Sequence, residues 1–310
     1  MHSIEQPEED ERMAFPPGQS EQHETSKTCS VALLSLDLYL YWFSLYLFVP
    51  ILSVYAESLG ASMSMVGLII GSYGLTQLFI RIPLGIWSDR LGRRKPFVTV
   101  AFVVIALSLL GLARAPNPMW LVASRAFTGV AAAIWVIFSV LYSSYFPRHR
   151  SVKAMGLATF FQGAGMVMAT TAGGILADAY GWRSTFYLAL IPAVLGAVLS
   201  LFVADDKSVR EPRVFSLPEL SRMQGVRLLV IASVLASVIQ YVNYTTTFSF
   251  VPIYGADLGA SRTVLGWLST AVLLPYTLSA LAASRMVDRL SERRLVILGL
   301  ALMVVTSGGI

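Results

Sequence analysis

Gly85-Ile86-Trp87-Ser88-Asp89-Arg90-Leu91-Gly92-Arg93-Arg94-Lys95 separates two apolar runs, 65–87 and 97–113. Four bases and one acid crowd into these eleven residues between stretches that hold almost no charge. Gly92 permits the positive φ of a tight turn. Asp89 closes a helical run, the wrong end of the helix dipole for a carboxylate. A neighbouring guanidinium or the N-terminus of another helix is therefore expected to hold it.

Working outward, runs long enough to cross a bilayer, roughly 17–25 residues each, fall at 31–55, 65–87, 97–113, 119–142, 154–177, 184–203, 228–254, 264–283 and 295–310. Composition agrees: 55 % of the 310 residues are hydrophobic, 13 % are charged and mean hydropathy is +0.66. A soluble domain is about one-quarter charged. Cys29 is the only cysteine, so neither an internal disulfide nor a cysteine-built zinc site is available. His2, His23 and His149 all lie in polar segments, which leaves no raw material for a histidine metal cluster or a buried catalytic triad. No phosphate loop is present, and no cofactor is expected. The fold class expected is an all-α polytopic membrane protein, not an enzyme.

Residues 1–30 carry seven acids and two bases, without the basic start and apolar core of a signal peptide. They read as a disordered acidic cytoplasmic tail. Loops after the second, fourth, sixth and eighth runs hold 16 bases, and the alternate loops hold only Arg114, Arg183 and Arg262. The positive-inside rule puts the first set and the N-terminus in the cytoplasm. A basic pI near 9.4 is thus topogenic rather than a sign of nucleic acid.

The chain also repeats. Phe48-Val49-Pro50 recurs as Phe250-Val251-Pro252, Leu59-Gly60-Ala61-Ser62 as Leu258-Gly259-Ala260-Ser261, and Asp89-Arg90-Leu91 as Asp288-Arg289-Leu290. Offsets of 202, 199 and 199 make six spans one unit, used twice in the same orientation. The division expected is a six-helix unit at 31–203, a cytoplasmic linker at 204–227 and part of a second unit, its first three helices, at 228–310. On this repeat the second unit would end at about position 402, so the sequence reads as a fragment lacking about three helices.

The opening stretch resembles the hallmark loop of the major facilitator superfamily, which has the form Gly-x-x-x-Asp-Arg-x-Gly-Arg-Arg/Lys between helices 2 and 3. In this chain the matching residues are Gly85, Asp89, Arg90, Gly92, Arg93 and Arg94, and Ser284 to Arg294 echo them. Arg125-Ala126-Phe127-Thr128-Gly129 is similar to the family's Arg-x-x-x-Gly pattern in span 4, and Gly181-Trp182-Arg183 with Phe186 to its turn into span 6. Thr170-Thr171-Ala172-Gly173-Gly174 departs from the antiporter pattern Gly-Pro-x-Gly-Gly by lacking the proline and the first glycine. The resemblance implies a secondary transporter working by alternating access, with the loop as a conformational latch.

Asp37, Arg81 and Arg125 are the ionisable residues inside the first six spans. Each costs about 2.5–3.5 kcal/mol at mid-membrane, which calls for a partner and a role. Asp37 and Arg81 lie at similar depth, and Arg125 roughly 10 Å away at 1.5 Å per residue. Asp37–Arg81 is therefore the easier ion pair, with a fixed structural bridge as the plain alternative. By resemblance, Asp37 accepts and releases a proton under the influence of a nearby guanidinium. Tyr41, Gln162, Gln240, Asn243 and Tyr244 are candidates to line a substrate cavity, though such groups also bind helices to one another.

The function expected is proton-coupled movement of a small organic solute, export ahead of uptake, by a monomer in the cytoplasmic membrane. A non-transporting receptor on the same scaffold and an inactive truncated product stay open as alternatives. The repeat predicts that cysteines placed at Leu91 and Leu290 are labelled by an impermeant maleimide from the same side of the bilayer. Labelling from opposite sides removes the parallel repeat.

Overall fold

The computed structural model describes residues 17–147, 150–203, 226–227, 231, 234–235, 246–286 and 297. Its elements are α1 (Pro17–Tyr46), α2 (Val49–Ser58), α3 (Met63–Leu91), α4 (Lys95–Ala113), α5 (Pro118–Ala133), α6 (Trp135–Ser144), α7 (Ser151–Tyr180), α8 (Trp182–Ser200), a π-helical turn (Thr246–Phe250), α9 (Val251–Asp257) and α10 (Arg262–Met286). Among the described residues there are seven candidate membrane spans: Thr28–Ser58, Met63–Leu91, Lys95–Ala113, Pro118–Ser144, Ser151–Tyr180, Trp182–Ser200 and Arg262–Met286. They coincide with the first six expected spans and the eighth. Most of the seventh, nearly all of the ninth and nearly all of the 204–227 linker lie outside the described residues.

One boundary needs correction. Helix α1 begins at Pro17, so residues 17–30, expected within a disordered tail, are helical. Pro17 fits the first helical position, where no N–H is required. After Gly18 no glycine or proline interrupts the chain before Pro50.

The internal repeat is reproduced in backbone geometry. Gly60 and Gly259 both take positive φ, 85° and 82°. Their amides donate to Glu57 O and Ala256 O at 2.8 and 2.9 Å, and the next amides to Ala56 O and Gly255 O at 3.0 and 2.9 Å. Ser62 and Ser261 then accept from Met65 N and Val264 N, each capping the following helix. Both Phe-Val-Pro copies adjoin an interruption, since α1 stops at Tyr46 before Pro50 and the π turn ends at Phe250 before Pro252. Proline removes the N–H that the carbonyl four residues back would have accepted. Pro83, Pro192 and Pro275 sit inside continuous helices.

Helices α1, α4 and α8 pack mutually, with α5 joining α3 to α4 and α7 lying along α1. The centre of this unit is filled by Tyr41, Phe48, Phe102, Phe138 and Phe186, all fully buried. On its other side α7 runs against α10, which connects the first unit to the second. A Cβ at Gly173 would collide with the carbonyl oxygen of Leu47, in the turn between α1 and α2. Gly67, in contrast, faces open space. Gly173→Val is expected to cost about 1–3 kcal/mol by overpacking, read as a lower unfolding midpoint in detergent. Gly67→Ala, measured alongside, should shift that midpoint by much less.

Candidate functional site

Helix α1 carries Asp37 fully buried, and neither carboxylate oxygen has a hydrogen-bond partner among the described residues. The expected ion pairs do not form. Arg81 is exposed on α3 and its Nη2 donates to Oε1 of Gln77 at 2.7 Å, one helical turn earlier. Arg125 is buried on α5, with its guanidinium carbon 4.3 Å from the Tyr73 ring centre and 5.3 Å from that of Phe48. A desolvated cation over aromatic faces gains about 2 kcal/mol. Phe48 lies eleven residues beyond Asp37, about 16 Å along a helix, which explains why Arg125 and Asp37 stay apart.

Tyr41 also departs from expectation. Its ring is fully buried, edge-on to Phe102 and Phe138 at 5.7 and 5.8 Å between centres. Its hydroxyl donates to the Ala131 carbonyl at 2.5 Å, just before the interruption at Ile134 that separates α5 from α6. Tyr41 thus braces a helix break inside the first unit instead of lining a cavity. The reason is geometric: Tyr41 on α1 meets α4 through Phe102 and α5 through Ala131, and Phe48, just past the end of α1, meets α8 through Phe186.

The opposite face of α1 makes the connection to the second unit, and sequence reasoning passed over it. Trp42 stands edge-on to Trp135 at 5.5 Å, Tyr46 follows Trp42 at 5.7 Å, and Phe248 meets Tyr46 at 5.6 Å. These rings join the start of α6, the end of α1 and the π turn. A tryptophan and a tyrosine four residues apart carry the signal of a shared helical face, but aromatic residues are common in apolar spans. Gln162 is half-buried on α7, and Gln240, Asn243 and Tyr244 lie outside the described residues.

In the basic loop Gly92 takes φ 63° and its amide donates to Ser88 O and Asp89 O at 3.1 and 3.2 Å, closing α3. The Asp89 carboxylate lies 3.5 Å from Nη2 of Arg94, a guanidinium of its own loop. Arg90 and Arg93 are exposed, and Gly85 is half-buried. Lys95 donates from Nζ to the Leu201 carbonyl at 2.6 Å, tying this loop to the end of α8.

A sequence model of the Major Facilitator Superfamily matches residues 38–235 and 233–310. The chain belongs to the major facilitator superfamily. Among relatives of this superfamily member is the multi-drug resistance efflux pump PmrA of Streptococcus pneumoniae serotype 4, 26 % identical over 263 residues, covering 82 % of this chain and 66 % of PmrA. A probable sugar efflux transporter of Mannheimia succiniciproducens is 28 % identical over 247 residues, covering 78 % of this chain and 60 % of that protein. The chain thus spans less than two-thirds of either relative's length. Its fold matches a bacterial homologue of the human lysosomal transporter Spinster, solved inward-facing and occupied, at TM-score 0.63 and 16 % identity over 90 % of this chain and 63 % of that one.

The Tyr41 brace can be measured. Tyr41→Phe removes one buried hydrogen bond and is expected to cost about 1 kcal/mol. Tyr41→Ala also opens a cavity, with an expected cost of about 3–5 kcal/mol by analogy with other large-to-small aromatic changes. Chemical unfolding in detergent micelles reads both.

Proposed function

We propose that this chain acts as a secondary active transporter, moving a small organic solute across the cytoplasmic membrane by alternating access, with protons as the driving ion and export as the direction. The observation that carries the proposal is the carboxyl of Asp37, buried in the first span with no hydrogen-bond partner among the described residues. An ionised carboxylate without a partner is costly in a dry site. Water entering from either side, or a guanidinium brought near by helix movement, removes that cost. Proton occupancy and conformation are linked on this reading.

Export is supported by the two relatives named as efflux proteins. Their different cargoes, drugs for one and sugar for the other, leave the solute class wider than any single compound. The count of bases in alternate loops supports a cytoplasmic N-terminus. A helix interruption beside each Phe-Val-Pro copy gives the two units matched points at which to bend.

The test is reconstitution into liposomes with an acidic lumen, using ethidium and lactose as probes and an entrapped pH dye as the second readout. The chain is expected to accumulate at least one probe with matching loss of luminal protons. Asp37→Asn should reduce that coupled proton movement tenfold or more, and Asp37→Glu should retain part of it. Undiminished coupling in Asp37→Asn removes the role given to Asp37. Probe binding without flux by the wild-type chain favours a receptor on the same scaffold.

A further inference from the structure

Helices α7 and α10 meet along most of their length, and the character of their contact changes at one end. Over most of the seam it is neutral and small. Thr170 and Thr171 share the Thr270 hydroxyl at 2.9 and 2.8 Å. A Cβ at Gly174 would strike the Arg262 carbonyl, and one at Gly156 would strike Ser284. Such surfaces part and rejoin with little specific cost.

Where α7 ends, the contact becomes ionic. Asp178 sits in the last turn of α7, where its charge opposes the dipole of its own helix. It reaches across to the first turn of α10. Oδ1 accepts from the Arg262 amide at 3.2 Å, and Oδ2 accepts from the Thr263 amide at 2.7 Å and the Thr263 hydroxyl at 2.6 Å. The Arg262 side chain crosses the other way. Its Nη1 donates to the Ala177 carbonyl at 2.6 Å, Nε lies 4.0 Å from Asp178 Oδ1, and the guanidinium stands 3.8 Å over the Trp182 ring.

Each helix therefore offers the other a charge suited to its dipole: an acid at the N-terminus of α10 and a base at the C-terminus of α7. Both contacts span the two units, and both must break before this end of the seam opens. We propose that Asp178 and Arg262 form an outer latch, positioning residues that hold the outer end of the α7–α10 seam shut and set how readily the protein opens on that side. Counting bases in alternate loops puts this end outside. The basic loop around Asp89 lies at the other face, so the two ends of the molecule carry separate carboxylate contacts.

The inference rests on rocking of the two units but not on any solute, so its test is independent of the proton and flux measurements. In a Cys29→Ser background, two reporters, Ser269→Cys and Ser284→Cys, are placed singly at buried positions towards the outer and inner ends of α10. Their rates of reaction with N-ethylmaleimide are compared with and without Asp178→Asn. The latch predicts a rise of fivefold or more at position 269 and an unchanged or lower rate at position 284. Asp178→Glu should fall between. Thr263→Val, which removes only the hydroxyl bond, should give the same pattern at about twofold. Equal acceleration at both positions means general loosening and overturns the proposal, as does an unchanged rate at position 269. Thr263→Val also keeps the question open to measurement if Asp178→Asn fails to fold.

Discussion

Close packing of α7 against α10 is the contact on which the arrangement of the described residues turns. It joins a complete six-helix unit to the second unit, and it depends on side chains small enough to bring two backbones together. In lipid no hydrophobic force drives helices onto one another, since the tails are as apolar as leucine. Association falls to dispersion and to a few polar contacts. The shared Thr270 hydroxyl and the crossed charges at Asp178 and Arg262 supply those contacts here. The missing proline in Thr170-Thr171-Ala172-Gly173-Gly174 does not prevent this approach, because Gly174 lies against Arg262 and Gly266 of α10, where a Cβ would not fit.

The same constraint governs where the helices break. Inside a bilayer a backbone carbonyl must find a donor within the protein. The breaks between α1 and α2, between α5 and α6, and at the π turn are all surrounded by packed aromatic rings. Tyr41 supplies one donor directly, to Ala131. The interruptions and the rings that brace them form one system, and Trp42, Tyr46 and Phe248 carry it from the first unit into the second.

Much of the fold was legible in the residues. Long apolar runs, alternating basic loops and the doubled turn at Leu59-Gly60-Ala61-Ser62 are local or periodic signals, and the matching turns at Gly60 and Gly259 follow from them. The site was less legible. Depth along a span can be counted, and that count explains why Arg125 lies beyond the reach of Asp37. Azimuth around a helix is harder to read, because neighbours decide which face turns inward. Tyr41 was therefore expected in a cavity and is found in the packed centre. Arg81, expected beside Asp37, bonds Gln77 on its own helix.

What the sequence by itself determined is the class of protein, the family, the order of the spans and the position of the basic loop, because hydrophobic length, charge placement and repeated motifs are properties of the chain. Only the tertiary structure decided that Asp37 has no hydrogen-bond partner among the described residues, that Tyr41 braces a helix break and that Asp178 meets the start of α10. Those facts depend on helix rotation and on contacts between residues more than 80 positions apart. No local pattern encodes such contacts, since they exist only once two helices have met.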